Sequence, residues 1–311
     1  MTRAVAVVFA YHNVGVRCLS VLLAHGVEVA LVVTHRDNPQ ETIWFDSVAE
    51  LAALHGIPMI TPDDVNDPAV VAQIAALQPD FLFSFYYRQM LKPALLSIAP
   101  RGAWNMHGSL LPKYRGRVPV NWAVLHGERE TGATLHRMLE KPDAGAIVAQ
   151  QAVPILPDDT AHEVFQKVAV AAEITLDRVL PQLVAGTARE MTQYLTQGSY
   201  FGGRKAEDGR IDWHQPAQTI HNLVRAVAPP YPGAFSDTPV GALRVLRSFL
   251  PPHALHPPRS PEPGIYEDNG VLYADCGDGR ALRLLTVELD GAPLTASAFI
   301  SRFGNRKISL T

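Results

Sequence analysis

The sequence has very little cysteine. Its 311 residues include only two, Cys18 and Cys276, which lie far apart along the chain. A disulfide framework needs several cysteines and belongs to oxidising compartments. The sequence therefore predicts a protein that works in a reducing compartment, with both thiols free and buried.

An excess of charge of either sign is also missing. Lys and Arg total 27 and Asp and Glu total 30, so the formal net charge is -3. Proteins that hold a nucleic-acid backbone usually present a concentrated basic surface. We therefore expect no nucleic-acid partner.

Long apolar runs are absent. No stretch approaches the roughly 18 uninterrupted apolar residues typical of a membrane span. The N-terminus also lacks the cationic region and apolar stretch of a signal peptide. We expect a cytoplasmic protein without a membrane span.

The first strand-helix-strand unit lacks the glycines of dinucleotide-binding proteins. Ala4 to Ala10 is a continuous apolar run, which predicts a strand buried on both faces. A periodic helix from Val16 to His25, with Asn13 as its cap, and a strand from Val27 to Thr34 complete the unit. Because Gly-x-Gly-x-x-Gly is missing from its first turn, NAD is not the expected ligand.

The same alternation of strands and helices continues along the chain. Further predicted strands are Asp80 to Phe85, Gly102 to Met106, Thr131 to Met138 and Ala146 to Val153, and further predicted helices are Ser47 to His55, Pro68 to Leu77 and Pro119 to Leu125. Thr160-x-x-Glu163 is a capping box before a long amphipathic helix, and this first domain closes at Gly186. We expect an α/β fold whose domain 1–186 contains a Rossmann-like parallel sheet.

The remainder of the chain has a different character. Glycines interrupt any periodicity in residues 187–206, which predicts a linker. In residues 207–311 the predicted strands are Ile211 to Trp213, Ala242 to Phe249, Gly264 to Tyr266, Val271 to Cys276 and Ala281 to Glu288, beside one helix, Thr219 to Val227. Short strands of this kind predict a small β-barrel. The stretch Pro251 to Pro263 receives no assignment.

Candidate chemistry is concentrated in the segment from Asn105 to Arg117. Asn105 and His107 are two residues apart, so in an extended segment both side chains lie on one face. An Asn side-chain N–H can stabilise an oxyanion, and a His ring can transfer a proton. Taken alone, His107 is more often a buried structural residue than a catalyst.

Asp143 can complete this pair. A carboxylate that accepts from one ring nitrogen of His107 fixes the tautomer and leaves the other nitrogen for proton transfer. By itself, Asp143 is better explained as part of a simple Pro-Asp turn, and only its combination with Asn105 and His107 favours a catalytic role. The sequence contains no clustered His, Cys and carboxylate pattern of the kind that predicts a metal site.

The spacing Asn-x-His-x-Ser-Leu-Leu-Pro, followed by Asp143 in Pro-Asp-Ala-Gly, resembles the 10-formyltetrahydrofolate-dependent formyltransferases. The resemblance implies that Asn105, His107 and Asp143 form the catalytic set. It also implies folate contacts from the residues Gln89, Met90, Leu91, Arg117, Leu139, Glu140, Lys141, Pro142 and Asp143. Met90 and Leu91 fit the start of a packed helix as well, and Arg117 fits a solvated surface residue. The resemblance further suggests that the barrel of residues 207–311 is OB-like.

Over roughly the first 235 residues the sequence is similar to the members of this family that formylate UDP-4-amino-4-deoxy-L-arabinose. The matching segments are Phe9 to His12, Thr34-His35, Phe83 to Arg88, His107 to Arg117, Thr134 to Met138, Asp143 to Gln150 and Trp213-His214. The resemblance implies a UDP-aminosugar substrate, 10-formyltetrahydrofolate as co-substrate and a role in lipid A modification. In these relatives an NAD-dependent decarboxylase is commonly fused to the formyltransferase, so we expect either a separate decarboxylase or a different aminosugar.

Other readings remain open. Methionyl-tRNA formyltransferase uses the same catalytic set, but a tRNA needs a basic surface. Residues 205–311 contain eleven Lys and Arg and eleven Asp and Glu, so this part is neutral and favours a sugar nucleotide. Arg204, Lys205 or Arg225 is a candidate contact for a diphosphate, and Trp213 and His214 are candidates for stacking on a base or sugar. A formyltransferase for another nucleotide-linked aminosugar also fits. A non-catalytic folate binder is disfavoured because the three catalytic residue types are all present.

The expected reaction is attack of a neutral sugar amine on the formyl carbon. We expect Asn105 and a protonated His107 to hold the oxyanion, with Asp143 supporting the imidazolium.

Overall fold

A computed structural model describes residues 4–252 and 262–310. Contacts divide the chain into two compact units. The first contains residues up to Pro119, Glu130–Pro154 and Phe165–Gly202, and the second contains Val120–Arg129, Ile155–Val164 and the residues from Gly203 onward. The linear division predicted from the sequence gives each domain one continuous stretch instead. Most of the unassigned Pro251–Pro263 stretch, residues 253–261, lies outside the described residues.

The first unit alternates strands and helices. Its strands are β1 (Val5–Ala10), β2 (Glu28–Val33), β3 (Met59–Ile60), β4 (Phe81–Phe85), β5 (Ala103–His107), β6 (Arg115–Gly116), β7 (Glu130–Arg137), β8 (Ile147–Pro154) and β9 (Tyr200–Phe201). Its helices are α1 (His12–Ala24), α2 (Val48–Leu54), α3 (Pro68–Ala76) and α4 (Pro93–Leu96). Two more helices, α5 (Pro119–Leu125) and α6 (Ala161–Ala185), contain residues of both units.

Seven strands form one sheet in the order β3-β2-β1-β4-β5-β7-β8. The pairs among β1 to β5 are parallel, whereas β7 runs antiparallel to β5 and β8. From β1 the chain proceeds outward through β2 and β3 and returns to β4 on the other side. Open α/β sheets bind ligands at the carboxyl ends of strands where the order reverses in this way. The predicted α/β fold class is confirmed.

The apolar run in β1 is buried on both faces, as predicted. Ala6 to Ala10 are all buried. Val7 and Phe9 belong to a core that also contains Ile74 of α3 and Leu95 of α4. Successive strand residues face opposite sides, so a strand covered on both sides needs apolar residues at every position.

Helix α1 begins earlier than predicted. It starts at His12, which has a φ of 68°, and Tyr11 occupies the cap position. The prediction of Asn13 as the cap is therefore wrong, and its side-chain oxygen accepts from the backbone N–H of Asp46 at 2.7 Å. The predicted capping box of α6 is confirmed, because Glu163 N–H donates to Thr160 Oγ1 at 3.2 Å and Thr160 N–H donates to Glu163 Oε2 at 2.7 Å.

The second unit contains an antiparallel sheet with a buried core. Its further elements are α7 (Ala217–Ala226), β10 (Ala234–Thr238), β11 (Gly241–Phe249), β12 (Gly264–Asp268), β13 (Val271–Asp275), β14 (Ala281–Leu289), β15 (Ala292–Pro293), α8 (Ala296–Phe303) and β16 (Ile308–Ser309). The strand order is β10-β11-β14-β13-β12-β16, with β15 beside β14. This arrangement confirms the small OB-like β domain.

Two expectations for the second unit are wrong. The segment Ile211 to Trp213 is not a strand, since only a single bridge joins Arg210 to Phe235. Trp213 is fully buried in the core of this unit, so its ring is not available to stack on a base or sugar.

Both cysteines are free and buried, as predicted. In the described part of the chain, no helix is long and apolar enough to cross a membrane.

Candidate active site

A polar patch lies at the carboxyl end of β5. Asn105 and His107 project from the same face of this strand because one residue separates them. Across the antiparallel pair with β7, Asn105 faces His136 and His107 faces Thr134. Directly opposed side chains of neighbouring strands are within contact distance. The sheet thus brings an amide and two imidazoles together.

The His107 ring is oriented by a backbone carbonyl. It is 6% exposed, and its Nε2 donates to the carbonyl oxygen of Tyr114 at 2.8 Å. Its Nδ1 lies 3.6 Å from Asp143 Oδ1, which is too long for a hydrogen bond but close enough for electrostatic attraction. The nitrogen that the sequence left for proton transfer is therefore engaged, and Nδ1 carries the available lone pair.

Burial also influences the protonation state of His107. Burial lowers the pKa of the ring, and this effect outweighs the opposing influence of the Asp143 carboxylate. A buried imidazole resists becoming charged because the low-dielectric interior does not solvate the cation. The resting ring is therefore neutral at pH 7 and can accept a proton, which the expected proton transfer requires before an imidazolium forms.

Asp143 lies within reach of both histidines. Its Oδ1 is 3.6 Å from His107 Nδ1 and 3.4 Å from His136 Nε2, and its Oδ2 accepts from the backbone N–H of Gly116 at 2.9 Å. Burial alone would raise the pKa of this carboxyl, but the two rings and the Gly116 N–H outweigh it and hold the pKa below its ordinary value. Asp143 is therefore ionised at neutral pH.

The loop that carries Asp143 is fixed by residues of the predicted linker. Asp143 has a φ of 51°, a conformation that non-glycine residues seldom adopt without support. Gln193 is buried, and its Nε2 donates to the carbonyl oxygens of Asp143 at 3.1 Å and Gly145 at 2.5 Å. No sequence pattern indicates this role, since Gln193 occurs in a stretch without periodicity.

A second part of the predicted linker holds the loop after His107. Strand β9 pairs in parallel with β6, and the Arg115 N–H donates to the carbonyl oxygen of Ser199 at 3.0 Å. Gly116 has a φ of 96°, and a Cβ there would lie 2.2 Å from the Phe201 carbonyl oxygen, so a side chain does not fit. This pairing places the Gly116 amide against Asp143.

Sequence reasoning also missed His136. Its ring is 1% exposed, and Nε2 lies 3.1 Å from Asn105 Nδ2. A histidine within an apolar strand is typical of a buried core residue, and only the pairing of β5 with β7 shows its neighbour.

Three predicted folate residues lie at the ends of β4 and β7. Met90 is 54% exposed and Leu139 is 48% exposed, which is unusual for such large apolar side chains. Leu91 is instead buried in the core of the first unit. The exposed pair provides apolar surface that a flat ring system can cover.

The remaining predicted folate residues differ in their hydrogen bonds and in their exposure. Gln89 accepts from the Val65 N–H at 2.9 Å and donates to the Asp63 carbonyl oxygen at 3.0 Å, so its amide holds a neighbouring loop. The side chains of Glu140, Lys141 and Arg117 are exposed and that of Pro142 is half-buried. The sequence missed Asn66, which binds the Met90 carbonyl oxygen at 2.9 Å and the Lys92 N–H at 2.8 Å and so fixes the backbone of this segment.

Tyr86 packs directly against the segment after His107. Its φ is 59°, and a Cβ on Gly108 would lie 2.0 Å from the Tyr86 hydroxyl oxygen. A side chain at position 108 would therefore displace the Tyr86 hydroxyl from this position. The Tyr86 ring also contacts Phe165 edge-on, with 5.7 Å between ring centroids.

The predicted diphosphate contacts lie in the second unit. Arg225 is buried and binds Asn222 Oδ1 at 2.8 Å and the Asp159 carbonyl oxygen at 3.2 Å, so it is already engaged. Arg204 lies over the Trp122 ring, and its Nε and Nη1 have no hydrogen-bond partner among the described residues. Lys205 is exposed. A diphosphate contact from Arg204 or Lys205 stays a prediction.

Comparison with known families accounts for most of the chain. The formyl transferase family matches residues 13–180, and the formyl transferase C-terminal domain matches residues 204–304. The first match contains Asn105, His107, His136 and Asp143.

Solved structures share the fold. WlaRD, a sugar 3N-formyl transferase studied with dTDP and 5-N-formyl-THF, is 20% identical, with a TM-score of 0.69 over 91% of this chain and 97% of its own. An N-formyltransferase from Helicobacter canadensis, in complex with folinic acid and dTDP-3-aminofucose, is 19% identical, with a TM-score of 0.67 over 91% and 99%. A sugar N-formyltransferase from Shewanella is 21% identical, with a TM-score of 0.61 over 76% and 92%.

The family match covers more than half of the chain, and the two units have the α/β sheet and the β domain expected of its two parts. The chain therefore belongs to the formyl transferase family, a family of formyl-transferring enzymes.

Proposed function

We propose that this enzyme transfers a formyl group from 10-formyltetrahydrofolate to the amine of a nucleotide-linked aminosugar. The observation that carries the proposal is the ionised Asp143 beside His107 and His136, with the Asn105 amide on the same strand face. We propose Asn105, His107 and Asp143 as the catalytic residues.

Two exposed apolar side chains support a folate donor. Met90 and Leu139 are exposed at the ends of two strands, and Asn66 fixes the backbone beside Met90. The structures of WlaRD and of the Helicobacter canadensis enzyme contain formylated folates. We propose the segments 89–91 and 139–143, together with Arg117, as the folate contacts. When bound, the folate supplies the formyl carbon and a nitrogen leaving group.

Two observations support an aminosugar acceptor. The residues from 205 to 311 carry equal numbers of acidic and basic residues, which disfavours a tRNA. The Helicobacter canadensis enzyme, which shares this fold, binds dTDP-3-aminofucose.

Proton transfer is assigned to a single ring nitrogen. Because Nε2 of His107 donates to the Tyr114 carbonyl, Nδ1 of the neutral ring carries the lone pair that accepts the amine proton. Asp143 then faces the new N–H and stabilises the imidazolium, and the same nitrogen returns the proton to the leaving group. The Asn105 amide donates to the formyl oxygen as negative charge develops there.

The assignment is tested with His107→Ala and Asn105→Ala. Each variant is expected to lower kcat by at least about 100-fold, the usual scale for losing a general base or an oxyanion donor. Folding is checked by thermal unfolding and folate binding by fluorescence titration, and both are expected to stay near normal. Wild-type rates in either variant contradict the assignment.

We further propose UDP-4-amino-4-deoxy-L-arabinose, in the pathway that modifies lipid A, as the acceptor. The segments Phe83 to Arg88, His107 to Arg117 and Thr134 to Met138 support this narrower choice through their resemblance to enzymes that act on this sugar. Rates with UDP- and dTDP-linked aminosugars and with initiator Met-tRNA, measured side by side, decide between the acceptors. A higher kcat/KM for a dTDP-sugar rejects the narrower choice alone.

A further inference from the structure

The buried histidine of β7 interacts with the catalytic amide. Its Nε2 lies 3.1 Å from Asn105 Nδ2, and its Nδ1 lies 2.9 Å from the carbonyl oxygen of Arg137. The two residues are direct partners in the register of β5 and β7, so the backbone fixes their separation. His136 is 1% exposed, which leaves water little access to the ring.

The tautomer of His136 follows from these contacts. A carbonyl oxygen only accepts, so Nδ1 must donate to Arg137. With the ring N–H directed at the Arg137 carbonyl, Nε2 is placed to offer its lone pair to the Asn105 amide 3.1 Å away. The amide nitrogen of Asn105 cannot accept, so it must be the donor in the contact at Nε2.

Asp143 does not compete for this lone pair. Its Oδ1 is 3.4 Å from His136 Nε2, and the low pKa of the carboxyl keeps it without a proton to donate. The acceptor at Nε2 therefore selects one of the two orientations of the Asn105 amide, the one with its nitrogen toward β7.

Amide orientation matters for the chemistry of Asn105. The Asn105 amide can rotate about its Cβ–Cγ bond, and its oxygen and nitrogen have nearly the same size. In one orientation a second N–H remains to stabilise charge on a formyl oxygen, whereas in the reversed one the amide oxygen repels that charge. A group that holds the amide in the first orientation before the substrate arrives adds to catalysis.

We propose that His136 is a positioning residue that orients Asn105 as an oxyanion donor. The Arg137 carbonyl fixes the tautomer of His136, and this tautomer in turn orients the Asn105 amide. This inference rests on the proposed function, because it needs Asn105 to act on a formyl oxygen.

The test compares His136→Gln with His136→Met. The two side chains have the same length, but Gln can place an amide oxygen near the Nε2 position, whereas a thioether is a weak acceptor. H136Q is expected to keep kcat within about fivefold of wild type. H136M is expected to lower kcat by at least about tenfold, which is only a fraction of the loss expected from deleting the Asn105 donor itself. KM for both substrates should change little, since neither side chain is expected to touch them.

A double-mutant cycle separates positioning from general support of the fold. Once Asn105→Ala has removed the amide there is nothing to orient, so H136M/N105A is expected to have the kcat of N105A. Equal kcat for H136Q and H136M, or a further loss in the double variant as large as that of H136M alone, overturns the inference.

The outcomes also distinguish this inference from the proposed function. If N105A transfers formyl groups as fast as wild type, the function assigned to Asn105 fails. If N105A is impaired but H136Q and H136M are equal, only the inference fails. Thermal unfolding of each variant is measured first, and if H136M does not fold, His136→Asn replaces it. Asn keeps a donor toward Arg137 but is too short to offer an acceptor at the Nε2 position, so it is expected to behave as H136M does.

Discussion

His107 and Asp143 divide the electrostatic work between a neutral and a charged side chain. Burial keeps the imidazole uncharged at rest, whereas Asp143 stays ionised through the two rings and the Gly116 N–H. A base must be free of its proton at the working pH, and its conjugate acid must be stabilised once formed. A neutral ring beside a fixed carboxylate meets both requirements.

The pH dependence of kcat/KM tests this division. The acid limb that arises from His107 is expected below about pH 6.5, the ordinary value for histidine, because burial lowers the ring's pKa. Asp143→Asn removes a charge that raises this pKa, so the limb should move to still lower pH while the rate falls by at least about 100-fold. Profiles of both proteins are recorded from acid to neutral pH with one aminosugar. Protonation of the substrate amine affects both profiles equally and so does not alter the difference between them. If the limb assigned to His107 has the same position in D143N as in wild type, the assigned electrostatics are contradicted.

Two strand pairings and one side chain hold the proposed catalytic groups in place. The pairing of β5 with β7 sets Asn105 opposite His136, and that of β6 with β9 turns the Gly116 amide toward Asp143. Gln193 closes the arrangement by binding the backbone on both sides of Ala144. Loops can hold strained residues only when surrounding contacts fix them, and Asp143, with its φ of 51°, is such a residue.

Replacing Gln193 should loosen the loop of Asp143 without altering the proposed catalytic side chains. Gln193→Leu leaves two carbonyl oxygens without their donor, which typically costs about 1–3 kcal/mol for a buried group. We expect a lower melting temperature and a reduced kcat. Gln197→Leu is the matched control, since Gln197 is exposed in the same segment and should change neither quantity. Equal effects of the two substitutions contradict the anchoring role.

At this scale the sequence predicts regular elements better than their contacts. The run Ala4–Ala10 and the box Thr160-x-x-Glu163 predict a strand and a helix start correctly, because both depend on neighbouring residues alone. The strand β9 has two residues and depends on a partner 85 positions earlier, with Arg115 opposite Tyr200. No local pattern contains that information, so the segment was predicted to be a linker.

Across the molecule, the family and the fold class could be predicted from the sequence, whereas the contacts that connect the site residues could not. Asn105, His107 and Asp143 were identified by type and spacing, and the structure places all three in one polar patch. His136 and Gln193 were missed because their importance lies in strand register and loop contacts. In the second unit, β10 and α8 were missed, whereas Trp213 was assigned to a ligand although it lies in the core.

The balance of acidic and basic residues predicts that KM for the nucleotide sugar depends only weakly on salt concentration. Proteins that neutralise 6–10 phosphates lose roughly 10³–10⁵ in affinity between 50 and 200 mM salt. A neutral region from 205 to 311 has no such concentration of basic groups, so KM for a nucleotide sugar should rise by less than about tenfold over this interval. Steady-state assays at several NaCl concentrations measure it, with neutral osmolyte as the control. A steep rise instead favours a polyanionic substrate.

The parallel pairing of β6 with β9 also bears on when the enzyme first becomes active during translation. All seven strands of the large sheet precede Tyr200, so a nascent chain that has not yet emerged to that point can already assemble the sheet. Its Gly116 amide, however, still lacks the partner strand that turns it toward Asp143. The strands of the large sheet are thus synthesised before β9, the segment whose pairing with β6 directs the Gly116 N–H toward the Asp143 carboxylate.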